Sequence, residues 1–180
     1  MTFLPIDDDS WPAALEDMRN GFATQLNVYR TMAHHPALLR AWSALRNHVV
    51  RANSLPEDDL EIVILRTGVR RGSAYEWAHH VVRGRKTGLT DAQIAAAGQG
   101  PTHAQSERHA LLMTAVDELV DASALSHATA AALNDAYGKG GVFDIIATVG
   151  MYTTLSFILN SFDTPIDDDV AGALKAAPLS

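Results

Sequence analysis

Hydrophobic positions recur every three or four residues along most of this chain, and that period predicts helices almost from end to end. Pro36 opens one such pattern, Ala37 to Arg51, with Leu38, Leu39, Trp42, Leu45 and Val49 at helical spacing. Ser106 to Asp121 repeats it with Leu111, Leu112, Ala115, Leu119 and Val120. Caps and breakers set the boundaries. Ser10 reads as an N-cap, followed by Pro12 in the first turn and a stop at Gly21. Ser54 reads as the cap of a third helix that runs through Arg70. Its acidic first turn, Glu57, Asp58 and Asp59, suits the positive end of the dipole. After a break at Gly72-Ser73, a helix runs from about Ala74 to Thr87 and ends at Gly88. Thr90 caps Asp91 to Ala97. Ser126 caps a segment ending near Tyr137-Gly138, and Phe143 to Asn160 is the last long helix. The acidic, then Ala-rich tail after Pro165 is expected to fray. Strand-like alternation never lasts beyond a few residues, so the fold class is all-α.

Composition narrows the picture. A length of 180 residues suits one domain, and a 47% hydrophobic content fills a core at that size. A net charge of −7 argues against a nucleic-acid partner, which needs a clustered basic surface. The apolar stretch Val142 to Phe162 is interrupted by Asp144, Gly150, Ser156 and Asn160. It reads as a buried core helix, so no membrane association is expected. Met1 to Ser10 ends in Asp7-Asp8-Asp9 without a basic region, so no targeting segment is expected either. The absence of cysteine removes disulfides, thiolate metal sites and thiol nucleophiles together, and it fits a cytoplasmic protein.

The candidate chemistry concentrates in Ser73-Ala74-Tyr75-Glu76-Trp77-Ala78-His79-His80. Glu76 and His80 are four residues apart on one helix face. A carboxylate and an imidazole so held can divide acid and base roles near neutral pH. The same spacing also describes an ordinary surface pair. Glu61 lies within Leu60-Glu61-Ile62-Val63-Ile64-Leu65, at the edge of a core, either as a functional buried carboxylate, as a partner of Arg66 or Arg70, or at an exposed position early in the helix. Glu76-x-x-His79 has the spacing of half a di-iron site, but no second copy exists. A mononuclear site would need His34 or His48 beside Glu76 and His80. No metal is expected, and His79 is assigned to a neighbouring face at an interface. Tyr75 offers a hydroxyl to a pocket, while Trp77 reads as core. Ser73 is either a pocket hydroxyl or the helix N-cap. Arg83 either binds a substrate carboxylate or solvates the helix end with Arg85 and Lys86. Gly138-Lys139-Gly140-Gly141 lacks P-loop spacing and reads as a turn.

The segment LEIVILRTGVRRGSAYEWAHHVVRGRKTGLTDAQI resembles the core helix pair of the carboxymuconolactone decarboxylase family, which shares its fold with alkylhydroperoxidase D. The flanks NVYRTMAHHPALLRAW and ATVGMYTTLSFILNSF extend the resemblance from Asn27 to Asp163 within a single domain of residues 1–180. The resemblance implies an alkylhydroperoxidase-D-like helical bundle. The thiol branch carries Cys-x-x-Cys-x-x-x-His on this helix and a glutamate on the preceding one. Ser73 and Glu76 stand at the cysteine positions, with Tyr75 between them. His80 matches the histidine and Glu61 the upstream glutamate. A disulfide-cycling peroxidase is thereby excluded.

Glu-x-x-x-His is similar to the decarboxylase branch. That likeness implies a cofactor-free lyase or isomerase acting on a small carboxylated or carbonyl-bearing compound, such as a product of aromatic ring breakdown. Glu76 and His80 would be the acid–base pair and Glu61 a tuning or relay group. Tyr75, Ser73 and Arg83 would contact substrate, and Tyr29 and Tyr152 would line the pocket. The family implies a homo-oligomer, a trimer or a hexamer. Two other readings stay open: a thiol-independent hydrolase or antioxidant on the same scaffold, and a non-enzymatic ligand-binding or scaffold protein.

Overall fold

The computed structural model describes residues 3–179. Its α-helices are α1 (Asn27–Met32), α2 (Pro36–Arg51), α3 (Glu57–Arg70), α4 (Ala74–Lys86), α5 (Asp91–Gln99), α6 (Glu107–Ala122), α7 (His127–Ser161) and α8 (Asp168–Ala176). Short 3-10 turns, Ala13–Met18 and Phe22–Thr24, precede α1, and a third, Pro101–His103, precedes α6. No strand occurs among the described residues, as the helical period predicts.

Helix α3 is the axis of the bundle. Every residue from Asp59 to Gly68 is buried, and α4, α5, α6 and α7 all pack against it. Apolar Ile62, Val63, Ile64 and Leu65 allow that enclosure, because no side of the helix is wholly polar there. The polar residues on α3 then need internal partners. Arg66 donates to both Asp117 carboxylate oxygens at 2.8 Å and to the carbonyls of Ala97 and Gly98 at 3.2 and 3.3 Å. This fork ties α3 to α5 and α6. Gly68 sets the approach of α4: a Cβ there would lie 3.3 Å from the Glu76 Cβ. The absent side chain lets α3 and α4 come together.

Most expected boundaries hold, including the Thr90–Gln93 capping box of α5 and the Ser106 and Ser126 caps. Four readings need correction. Ser10 caps no helix: its N–H bonds Asp7 Oδ1 at 2.7 Å, and a 3-10 turn starts after Pro12. Ser54 does not cap α3, whose N-cap is Pro56. Its N–H and Oγ instead donate to Asp144 Oδ2 at 2.8 and 2.6 Å, pinning α3's entry to α7. Gly138 does break the helix, at φ 68 and ψ 175, but helix resumes directly after it, so Lys139 to Gly141 form no separate turn. On α2 the buried residues are Leu39, Trp42, Arg46 and Val49, whereas Leu38 and Leu45 are exposed.

The tail after Pro165 forms α8 and docks on α4. The side chain of Asp167, its N-cap, makes no capping bond and accepts from the Asn27 N–H at 3.0 Å instead. Val170 is buried beneath it. Among the described residues α7 alone is long and apolar enough to cross a membrane, and half of its apolar window is buried inside the bundle.

Candidate active site

The close α3–α4 contact determines what meets in the interior. Glu61 projects from α3, and Glu76 and His80 project from α4; they are 7%, 3% and 2% exposed. His80 Nδ1 lies 2.6 Å from Glu61 Oε2, and its Nε2 lies 3.5 Å from Glu76 Oε2. The first is a short charge-assisted hydrogen bond, and the second is beyond good hydrogen-bond range. Glu76 Oε1 is buried without a partner. Burial alone would lower the His80 pKa, but the charge and hydrogen bond of Glu61, with the nearby charge of Glu76, outweigh it and raise it. The three groups form a line through one imidazole. Because the carboxylates face opposite ring nitrogens, they cannot converge with it on a single ion.

This line ends at a cavity of about 330 Å³. Glu76, His79, His80, Tyr75, Tyr29, Tyr152 and Arg46 contribute polar walls, and Phe22, Leu26, Val28, Leu155 and Val170 contribute apolar ones. The Tyr152 ring meets His80 edge-on, with centroids 5.1 Å apart at 87°. Burial raises the Tyr29 and Tyr152 hydroxyls above their ordinary pKa, so both stay protonated donors. Arg83 and Lys86 line this cavity and a second one of about 230 Å³ that reaches Glu61. Arg46, Arg83 and Lys86 outnumber the cavity carboxylates Glu76 and Asp169.

The expected site residues separate on inspection. Glu61, Glu76 and His80 come together. Arg66 and Arg70 turn to Asp117 and Asp121 and leave Glu61 to His80. Tyr75 lines the cavity, but its hydroxyl is committed: it donates to Asp167 and accepts from the Val28 N–H at 3.2 Å. Ser73 caps α4, accepting the Glu76 N–H at 3.3 Å, and is absent from the cavity lining. Arg83 stands at the rim. Trp77 packs against Gly98 of α5.

His79 is buried at the cavity wall, within the fold of this chain. Its ring stacks on Tyr75 at 3.9 Å, with Nδ1 2.8 Å from the Tyr75 carbonyl and Nε2 2.8 Å from Asp167 Oδ2. Burial pushes the Asp167 carboxyl up, but bonds from His79, Tyr75 and the Asn27 N–H hold it below its ordinary value. His34 and His48 bond the Leu4 carbonyl and Asp144, away from this site.

Sequence reasoning missed Arg46 and Asp167. Arg46 had a signal: it follows Leu39 and Trp42 by seven and four residues and precedes Val49 by three, so a cation sits on an apolar stripe. Asp167 had none, because its partners Tyr75 and His79 lie about ninety residues away.

A helical bundle with a buried glutamate–histidine–glutamate line beside a cavity is thus the class that fold and site define. Residues 36–118 match the model of the carboxymuconolactone decarboxylase family. Its structure is similar to the debrominase Bmp8, solved as a cysteine-to-alanine variant with 2,3,4-tribromopyrrole. The identity is 17% over 98% of this chain and 97% of that one, with a TM-score of 0.73. It is also similar to an alkylhydroperoxidase AhpD core, an uncharacterized peroxidase-related protein from Ralstonia eutropha JMP134. There the identity is 15% over 94% and 95% of the two chains, with a TM-score of 0.76. At such identities these likenesses speak for the fold. No curated protein matches the sequence.

Proposed function

We propose that this protein is an acid–base lyase or isomerase acting on a small carboxylated or carbonyl-bearing compound, with Glu76 and His80 as the working pair and Glu61 as the group that charges and orients His80. One observation carries the reading. The His80 imidazole is bonded to Glu61 on its Nδ1 side and faces Glu76 on its Nε2 side, the other Glu76 oxygen has no partner, and both His80 and Glu76 line the cavity. A buried carboxylate oxygen with no partner is unfavourable unless a ligand or water completes it.

The chemistry follows from that placement. Loss of carbon dioxide, or removal of a proton by Glu76, leaves an electron pair that moves onto an adjacent carbonyl oxygen. The His80 Nε2–H stabilises the resulting enolate and then delivers its proton to carbon. Glu61 keeps the imidazole correctly turned and favours its charged form until that proton is delivered. No thiol takes part, in contrast to a route that depends on cysteine. The homo-oligomer belongs to the same proposal, and the exposed apolar residues Phe143, Ile146 and Phe157 on one face of α7 support it.

Solvent exchange tests the reaction class. Small carboxylated lactones and enol acids would be incubated with the protein in deuterium oxide and followed by NMR. The expected outcome is deuterium entry or decarboxylation of at least one compound with wild type, lost in folded Glu76→Gln and His80→Ala. Equal rates in all three proteins would remove Glu76 and His80 from the chemistry.

A further inference from the structure

Arg46 is 6% exposed, yet no carboxylate forms an ion pair with it among the described residues. Its Nε is buried without a hydrogen-bond partner, and its Nη1 makes a single 3.2 Å bond to the side-chain oxygen of adjacent Asn47. No bond to Nη2 occurs among the described residues. The guanidinium carbon lies over the Phe22 ring, 4.5 Å from its centroid, and 5.9 Å from that of Tyr29; these rings hold the cation in place without neutralising it. A buried cation of this kind is strongly unfavourable unless something answers its charge. Arg46 also lines the cavity that holds Glu76 and His80. The other buried arginine, Arg66, sits in a complete fork with Asp117, so the fold can satisfy a guanidinium where it is only structural.

We infer that Arg46 is the anion-binding residue of this cavity, taking the carboxylate of a small, flat monoanionic substrate whose body packs between Phe22 and Leu155. The inference deepens the proposed function and rests on its placement of substrate in this cavity. Arg83, the residue that the helix pattern favours for this role, stands half-exposed at the rim, where water screens its charge. The fork geometry of Arg46 suits a planar carboxylate bound through two parallel hydrogen bonds. Glu76 and Asp169 on the same walls disfavour a dianionic phosphate. The Glu76 oxygen and the His80 Nε2 would then face the far end of the bound molecule. Arg46 is thereby a positioning group that fixes which carbon the acid–base pair meets.

Calorimetric titration with benzoate, its uncharged isostere benzamide and inorganic phosphate tests this without requiring turnover. Wild type is expected to bind benzoate at least about tenfold more tightly than benzamide or phosphate. Arg46→Met keeps the apolar stem and is expected to lose that preference. Arg46→Lys keeps the charge without the fork and is expected to fall between them, which covers the case in which the methionine variant fails to fold. Glu76→Gln, which removes a negative charge from the cavity, is expected to bind benzoate at least as tightly as wild type. Benzoate bound equally by wild type and either folded Arg46 variant would overturn the assignment, as would benzamide or phosphate binding as well as benzoate. Benzoate binding that depends on Arg46, with no exchange chemistry in any compound, would sink the proposed reaction and leave the anion site standing.

Discussion

Two buried carboxylate–histidine pairs branch from the same helix, and they behave in opposite ways. Asp59 and Glu61 are two residues apart on α3, about 200° around its axis. Glu61 meets His80 of α4 at 2.6 Å, beside a cavity. Asp59 meets His109 of α6 at 3.6 Å, too long for a hydrogen bond, with Tyr137 and Arg108 closing the group at 2.9 and 3.2 Å. The electrostatics diverge accordingly. His80 is raised because two carboxylates overcome burial. His109 is lowered because burial dominates and the charge of Asp59 only partly offsets it. Asp59 itself is pushed up by burial against the Tyr137 bond. An acid buried beside an imidazole can therefore leave the imidazole raised or lowered, according to the alignment of the bond and the number of carboxylates that face the ring.

The sharpest way to break this comparison is kinetic. Glu76→Gln should cost about a hundredfold or more in turnover while the protein stays folded, because it removes the proposed proton-transfer group. Asp59→Asn should leave turnover unchanged. Rates measured on the first substrate found would check both, and a large loss in Asp59→Asn would erase the distinction. Stability comes next. Glu61→Gln strips charge from a buried pair and should cost about 3 kcal/mol. Asp59→Asn replaces a carboxylate whose pKa burial raises, so it should be neutral or stabilising at alkaline pH. Urea midpoints would measure the contrast.

The two pairs should also pull stability in opposite directions with pH. The folded pKa of His80 lies above its ordinary 6.5, so its contribution is complete below that pH and is lost as pH rises through the folded value. The folded pKa of His109 lies below 6.5, so its contribution is present above that pH and is lost as pH falls through the folded value. Urea midpoints across the neutral range should show Glu61→Gln flattening the alkaline limb alone and His109→Gln flattening the acid limb alone. The smallest effect should come from Asp167→Asn, about 1 kcal/mol, seen as faster hydrogen exchange confined to α8.

How legible all this was depended on the range of the contacts. Helical period, proline and capping signals located α2 to α7 because each is written in neighbouring residues. Glu76 and His80 were legible as a pair for the same reason. Glu61 was legible as their partner through the family pattern, because helix spacing does not say that α3 and α4 touch at Gly68. The Ser54 cap and the fraying tail were misread for the same physical cause. Ser54 is bound by Asp144 and α8 is held through Asp167, and both contacts join residues about ninety or more apart in the chain. Arg46 stood on the apolar stripe of α2, where its charge was itself a signal of burial.

The most direct test of the central claim needs no substrate. Nitrogen-15 NMR of the His80 ring, followed through neutral pH in wild type and Glu61→Gln, reads the protonation that the Glu61–His80–Glu76 line imposes. His80 is expected to stay protonated above its ordinary 6.5 in wild type, Glu61→Gln to lower its titration, and benzoate in the cavity to shift its signals. Titration of wild-type His80 at or below that value, unmoved by the substitution and by the ligand, would contradict the claim.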